Sequence, residues 1–531
     1  MDLLDQNLLR RAMLGDLVTR SAHRFGDRIA LVSGQERVTF KTLNERSCQA
    51  ANAFLRMGIG RGDRVAFMTH NNLDYIYCRL GLAKIGAAPV PLNFMLKGEE
   101  ISFIINDSEP KAFFVEDSLA EKVLAVQGKI STVQYFGWFK LTGEMEKPAD
   151  WIDVKTFFDG RNPSDEPVVL VESDDMATLM YTTGTEGFPK GVITTHLNYY
   201  MSIFHLVSDC DFRRDDVTII DLPLFHVAGT TLLLGSIALG LKALIEYAPD
   251  PQNILRKTQD EAVTIWTYPP TLYQAFLMLP GIDHFDLSSL KKCIIFGSVM
   301  PETVLQKWKE RKPELEWRNY WGQTESSPVG TTSLPDDFEA KINSIGIQDT
   351  GVTVKVFDEN DQEVPAGQLG ELVIRGPAVM KGYWRNDGLT ETALRNGWLH
   401  TGDLGYSDAN GCFYFVDRKK DMIKSGGENV SSQEVEGTII GYPKVVMAAV
   451  IGLPHPYWSE AVTACVVLKP GQQASEDEII NFCKEYLASY KVPKKVVFMP
   501  QLPMTASGKI LKRSIREDLL KQELFKEQLV N

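Results

Sequence analysis

The segment Tyr181-Thr182-Thr183-Gly184-Thr185-Glu186-Gly187-Phe188-Pro189-Lys190-Gly191-Val192 gathers three glycines, three threonines and one lysine behind a short apolar run at 178–181. Holding a phosphate chain takes backbone N–H groups exposed in a concave turn, glycines that permit the turn, hydroxyls that donate and a nearby cation. All four are present, so the segment reads as a strand running into a phosphate-holding loop. It is not a Walker loop. Counted from Gly184, no Gly-Lys-Ser/Thr arrives at the required offset, and Gly508-Lys509 has Pro503 instead of glycine five residues before Gly508. Nucleoside triphosphatases and kinases of the P-loop type are thereby disfavoured.

Other segments carry groups suited to a nucleotide or an acid. Pro223-Leu224-Phe225-His226-Val227-Ala228-Gly229 sets a histidine beside an apolar stretch. Asn319-Tyr320-Trp321-Gly322-Gln323-Thr324-Glu325 puts aromatic rings next to a glycine, which suits stacking on a flat base, and ends on a carboxylate. Trp398-Leu399-His400-Thr401-Gly402-Asp403 ends on another carboxylate, which can accept two hydrogen bonds from vicinal hydroxyls. Then come Asp417-Arg418-Lys419-Lys420-Asp421, leading to Gly426-Gly427, and Leu502-Pro503-Met504-Thr505-Ala506-Ser507-Gly508-Lys509-Ile510. A shorter segment, Phe296-Gly297-Ser298-Val299-Met300-Pro301, lies between the first two.

In this order, and over nearly the whole chain, these segments resemble the motifs of the adenylate-forming superfamily: acyl-CoA synthetases, peptide-synthetase adenylation domains and luciferases. The resemblance implies an ATP-dependent acid–thiol ligase that makes an acyl-adenylate and passes the acyl group to coenzyme A. It assigns Thr182, Thr183, Gly184, Thr185 and Lys190 to the ATP phosphates, and Glu325 with Thr185 to Mg²⁺, for which carboxylate oxygen is a fitting hard ligand. Gly297, Ser298, Tyr320, Trp321, Gly322, Gln323 and Thr324 fall around the nucleotide, with Asp403 on the ribose and Arg418 as a second contact. Lys509 is the lysine of the adenylation step, a compact cation between carboxylate and α-phosphate. Lys420 is the hinge, Gly426 and Gly427 the channel for the pantetheine arm, and His226 a residue beside the acyl pocket. The family often has Tyr where Trp321 stands, Gly-Gly-Ala-Pro near Phe296–Val299, and Gly where Asp417 stands.

The acid is read from apolar candidates for the pocket: Phe225, Val227, Trp266, Val299 and Val329. They favour an aliphatic or small aromatic acid, and the stretch from Gly411 to Ser431 is similar to carnitine/crotonobetaine-CoA ligases and medium- or long-chain fatty acyl-CoA synthetases. No acidic residue follows the loop start in the way that anchors an α-amino group, which argues against a peptide-synthetase module. A luciferase-like oxygenase would share every motif; the missing C-terminal Ser-Lys-Leu weighs against it. A non-catalytic homologue would be expected to lose Lys509 or Glu325. Transfer of the acyl group to a carrier protein instead of CoA is the closest rival.

The elements that must position these groups alternate. Apolar runs at 65–68, 112–115, 217–220, 263–266 and 293–296 are separated by helical patterns such as Leu73, Ile76, Tyr77 and Leu80, which predicts layered α/β architecture with parallel sheet. Val227 to Leu241 reads as a buried helix, too short to span a bilayer, and 148–167 as a connecting excursion. After about residue 417 the texture changes: strands at 445–451 and 461–468 around a turn with Pro454 and Pro456, a helix at 476–488 and a strand at 495–499. The expected division is a large α/β domain over 1–419 and a small mobile α+β domain over 420–531. The chain has 531 residues, 56 basic and 69 acidic, and a formal charge of -13. That argues against nucleic-acid binding and leaves a polyanionic ligand to local cations. Seven cysteines without a CxxC pair, and an N-terminus without a signal-peptide layout, suit reduced thiols in a cytoplasmic protein. The expected partners are small molecules, with no transmembrane segment; a homodimer is left open.

Overall fold

Parallel pairing carries the centre of the protein. In this computed structural model, which describes residues 2–182, 189–297, 300–338, 340–505 and 510–521, the largest sheet has nine strands. Its middle is parallel: Ile29–Ser33, Lys242–Ile245, Val217–Ile220, Ile265–Tyr268, Lys292–Phe296 and Glu316–Trp321. Antiparallel strands close both edges. The burial of consecutive residues, as in all five of Lys292–Phe296, is what a sheet covered on both faces requires. A second, all-parallel sheet of five strands spans 64–153. The excursion at 148–167 contributes its last strand, Ile152–Asp153.

Helix Val227–Leu239 covers one face of the large sheet, and 11 of its 13 residues are buried. The strands present alternate side chains to the two faces. Ile265, Ile294, Phe296 and Tyr320 join the core that holds this helix, whereas Trp266, Tyr268, Cys293 and Ile295 join the core on the opposite face. Trp266 therefore does not line an acyl pocket, contrary to expectation. Its ring is 1% exposed and packs against Phe276 at 4.6 Å and Trp308 at 5.7 Å, and its Nε1–H donates to Thr258 Oγ1 at 2.9 Å. Val329 is corrected likewise: it is 1% exposed in a separate core with Val192, Ile345 and Tyr383. Trp266→Ala should thus act on stability, lowering the free energy of unfolding by about 3–5 kcal/mol as large-to-small core changes do. An unshifted denaturation midpoint would contradict that placement.

Three further sheets follow. Strands Met176–Thr182 and Lys190–Thr195 form an antiparallel hairpin that Gly382–Tyr383 extends. Thr353–Phe357, Gly370–Arg375, Leu399–Ser407 and Phe413–Arg418 make a four-stranded antiparallel sheet. The C-terminal sheet begins with Ile423–Ser425 and Glu428–Val430 and is centred on the pair Val445–His455 and Ser459–Leu468, with Lys495–Phe498 parallel beside the latter. Pro454 sits inside the strand, opposite Glu460, and not in the turn. Val445–His455 is an outer strand of that sheet, where a residue without an N–H is tolerated. All seven cysteines are buried thiols. Among the described residues, no helix is long and apolar enough to cross a membrane.

Candidate active site

Strands Lys292–Phe296 and Glu316–Trp321 both end, by their carboxyl ends, at one edge of the large sheet, the place where open α/β sheets hold ligands. Thr182 pairs with Lys190 across the hairpin beside them, so the rung they form closes the base of the Gly/Thr loop. Thr183, Gly184 and Thr185 of that loop, with Ser298, Val299 and Lys509, lie outside the described residues.

Lys190 Nζ stands 5.3 Å from the ring centre of Tyr383. The Tyr383 hydroxyl donates to Glu325 Oε1 at 2.9 Å, and the Met380 N–H donates to the Glu325 carbonyl at 2.8 Å. Burial and the Glu325 charge both push the Tyr383 phenol up, so it remains a donor at neutral pH. Glu325 is thereby held at side chain and backbone, half-buried, a carboxylate donor of the kind a hard divalent cation takes. Tyr383 was not singled out in the sequence. Its signal is the same aromatic-beside-glycine pattern that marks Tyr320-Trp321-Gly322.

Asp403 is the second anionic centre. It is 2% exposed. Its Oδ2 accepts from Trp321 Nε1 at 2.9 Å and Gln323 Nε2 at 3.0 Å, and its Oδ1 lies 2.7 Å from Arg418 Nε. Gln323 Nε2 also reaches the Thr401 carbonyl at 2.9 Å. Asp403 and Arg418 are cross-strand partners, which is why a carboxylate and a guanidinium 15 positions apart meet. Burial alone would lower the Arg418 pKa; Asp403 and Glu325 more than offset it and hold the guanidinium charged. Lys420, exposed, is pulled below its ordinary value by lost hydration and by Arg418 and Lys190 nearby. Lys190, Arg418, Lys420, Glu325 and Asp403 thus share one electrostatic neighbourhood.

The glycines have local reasons. A Cβ on Gly322 would sit 1.9 Å from the Pro328 carbonyl oxygen, so the chain can only pass there without a side chain. Gly426 and Gly427 form the two-residue turn between Ser425 and Glu428, both at positive φ (62° and 87°), the requirement of a tight hairpin. Their expected place along a channel is additional to that need.

On the acid side, His226 is the N-cap residue of helix Val227–Leu239, and Phe225 meets Phe94 edge to face at 5.2 Å. Val227 is buried in the first turn. A cavity of about 10 Å³ lies under that helix, lined by Ala228, Thr231, Leu232, Thr267, Ile294 and Tyr320 among others. Tyr320 is a correction. Its ring points into this core, stacked on Phe296 at 5.7 Å, whereas the next residue of the strand, Trp321, faces Asp403. Strand alternation makes the two aromatics face opposite ways, so only Trp321 offers its ring to the nucleotide side. Thr324 opens the short turn that carries Glu325.

Comparison with known proteins decides what this arrangement is. The model of the AMP-binding enzyme family matches residues 18–384, and that of the AMP-binding enzyme C-terminal domain matches residues 434–509. The chain belongs to the AMP-binding enzyme family. This AMP-binding enzyme is 35% identical to feruloyl-CoA synthase from Amycolatopsis sp, over 96% of this chain and 99% of that protein. It is 33% identical to the long-chain-fatty-acid–CoA ligase FadD13 of Mycobacterium tuberculosis, over 91% and 93%. Among solved structures, the anthranilate CoA ligase AuaEII in complex with anthranoyl-AMP superposes with a TM-score of 0.87 at 27% identity, covering 95% of this chain and 97% of that one. The protein has the adenylate-forming α/β fold, a large N-terminal AMP-binding domain and a C-terminal domain, and is a ligase of the AMP-forming acyl- or aryl-CoA family.

Proposed function

We propose that the protein joins an aliphatic or small aromatic carboxylic acid to coenzyme A in two steps at the edge where Glu325, Lys190, Asp403 and Arg418 converge. That convergence is the observation that carries the reading. In the first step a carboxylate oxygen attacks the α-phosphorus of ATP; the bond to the bridging oxygen breaks and pyrophosphate leaves. In the second the thiol sulfur of CoA attacks the acyl carbon, the thiol proton is lost, and AMP leaves. No protein nucleophile is needed, so positioning and charge neutralisation do the work.

Thr182 and Lys190 frame the phosphate-holding loop, Trp321 offers a flat face to the base, and Asp403 meets the ribose hydroxyls once Gln323 or Arg418 yields an oxygen. Glu325, with Thr185, would hold Mg²⁺, which when bound neutralises phosphate charge. Lys509 enters for the first step. Residues 420–531 turn on 1–419 about Lys420 between the steps, opening the path past Gly426 and Gly427 to the thiol. The identities to a feruloyl- and a fatty-acyl-CoA ligase support both acid types.

The test is a panel of carboxylic acids assayed for ATP-dependent pyrophosphate release with and without CoA. Release with some acids, and thioester only when CoA is added, is expected. No release with any acid would overturn the reading; adenylation without CoA thioester would favour transfer to a carrier protein.

A further inference from the structure

Phe296 and Tyr320 are cross-strand partners one rung nearer the carboxyl edge of the large sheet than Ile294, which in turn pairs with Thr267. All four contribute to the face that lies under helix Val227–Leu239. An acid that passes His226 at the start of this helix and extends along the sheet therefore meets the two aromatic rings before it reaches Thr267 and Ile294. The rings are stacked at 5.7 Å and 26°, and are 9% and 8% exposed.

The pair is also braced from behind. Tyr320 takes the edge of the His205 imidazole at 5.9 Å, and His205 Nδ1 lies 3.4 Å from both Asp209 and Asp349. Asp349 itself accepts from the Gly330 N–H and the Thr332 hydroxyl, so this support is tied to the backbone. Below the rings the space is about 10 Å³, near the size of one water molecule. The hydroxyls of Thr231 and Thr267, both lining it, are buried without a hydrogen-bond partner among the described residues. Its size and polarity suit a water molecule and not an alkyl chain.

We infer that the Phe296–Tyr320 pair is the floor of the acyl pocket and limits this enzyme to compact acids: short aliphatic chains or a single aromatic ring, with extended fatty chains refused. The inference rests on the proposed acid-adenylating role of the site. It makes Phe296 and Tyr320 specificity-determining residues, and it places the discrimination in ring volume at two adjacent strand positions.

The experiment measures kcat/KM for straight-chain acids from butanoate to dodecanoate and for benzoate and a hydroxycinnamate, by pyrophosphate release, in wild type, Tyr320→Phe, Tyr320→Ala and Phe296→Leu. Wild type and Tyr320→Phe should share a preference for the short and single-ring acids. Tyr320→Ala should raise the ratio of long-chain to short-chain kcat/KM by about 10-fold or more, the scale of added methylenes in a pocket. Phe296→Leu, a milder change, should move it the same way if Tyr320→Ala does not fold. Equal use of dodecanoate and butanoate by wild type would overturn the inference, as would an unchanged ranking in both folded variants. Binding of non-hydrolysable acyl-adenylates of rising chain length to wild type is read separately by calorimetry. Affinity that falls with length supports the floor even where turnover is absent, and affinity that rises with length overturns it. Failure of every acyl-adenylate to bind would instead sink the adenylation reading, and this inference with it.

Discussion

Glu325→Ala should slow acyl-adenylate formation by roughly 10²-fold or more, the scale of losing a fixed electrostatic contact at a reacting phosphate. The expectation comes from how the carboxylate is held. Tyr383 bonds one oxygen and Met380 bonds the backbone carbonyl, so Glu325 needs little reorganisation to meet a cation. It also helps keep Arg418 charged beside Asp403. Removing it leaves that cation facing one anion instead of two and takes away the carboxylate assigned to Mg²⁺. Tyr383→Phe, which deletes only the hydrogen bond to Oε1, should cost about 10-fold, since one hydrogen bond to a charged group contributes on the order of 1.5 kcal/mol. The measurement is ATP–pyrophosphate exchange across a range of Mg²⁺ concentrations. Exchange at near wild-type rate in Glu325→Ala would remove Glu325 from the site.

The elements were legible where hydrophobic runs are long enough to be buried on both sides. Val217–Ile220 falls where its apolar run predicts, and the runs at 112–115, 293–296 and 445–451 all lie within strands. What a period of two does not reveal is which face is which. Trp266 and Thr267 are neighbours on one strand; only the neighbouring helix decides that the threonine borders the cavity and the tryptophan the opposite core. Tyr320 and Trp321 pose the same question, and the larger aromatic turned out to be the one near Asp403. Thr231 and Leu232, three and four residues after Ala228, face the cavity together, a helical spacing that points to a shared side but not to what lies across from it. Pro454 misled because its penalty depends on whether the strand is at an edge, which is a property of the finished sheet. In the site, chain order brought the motifs to attention, while the crowding of Trp321, Gln323 and Arg418 on one carboxylate is a product of strand register alone.

Lys509→Ala and Lys420→Pro should separate the two half-reactions in opposite directions. Lys509 belongs to the small domain and Lys420 to its root, and one pose cannot both set Lys509 against the α-phosphate and open a thiol path past Gly427. Two poses joined by domain motion are an ordinary gating arrangement. The present pose has identifiable contacts across Lys420. Asp417 Oδ2, before the hinge, accepts from the Ser432 N–H at 2.6 Å and the Ser432 hydroxyl at 2.7 Å, after it. Lys512, three residues beyond Lys509, reaches the Ser432 hydroxyl at 2.6 Å and Glu436 at 2.7 Å. Turning at residue 420 must break the Asp417–Ser432 bonds or carry the strand Phe413–Arg418 along, so these bonds favour one pose over the other. Proline at 420 fixes φ at the pivot. Lys420 is exposed, so the substitution is compatible with an intact fold. Lys420→Pro is expected to release pyrophosphate at a near-normal rate in the first turnover and then form thioester slowly. Lys509→Ala is expected to lose adenylation by roughly 10²-fold or more yet still convert synthetic acyl-AMP and CoA to thioester. Single-turnover kinetics of each half-reaction in both variants measure this. Equal slowing of the two halves by Lys509→Ala would show that the lysine serves both steps from one pose, and that the domain does not alternate in this protein.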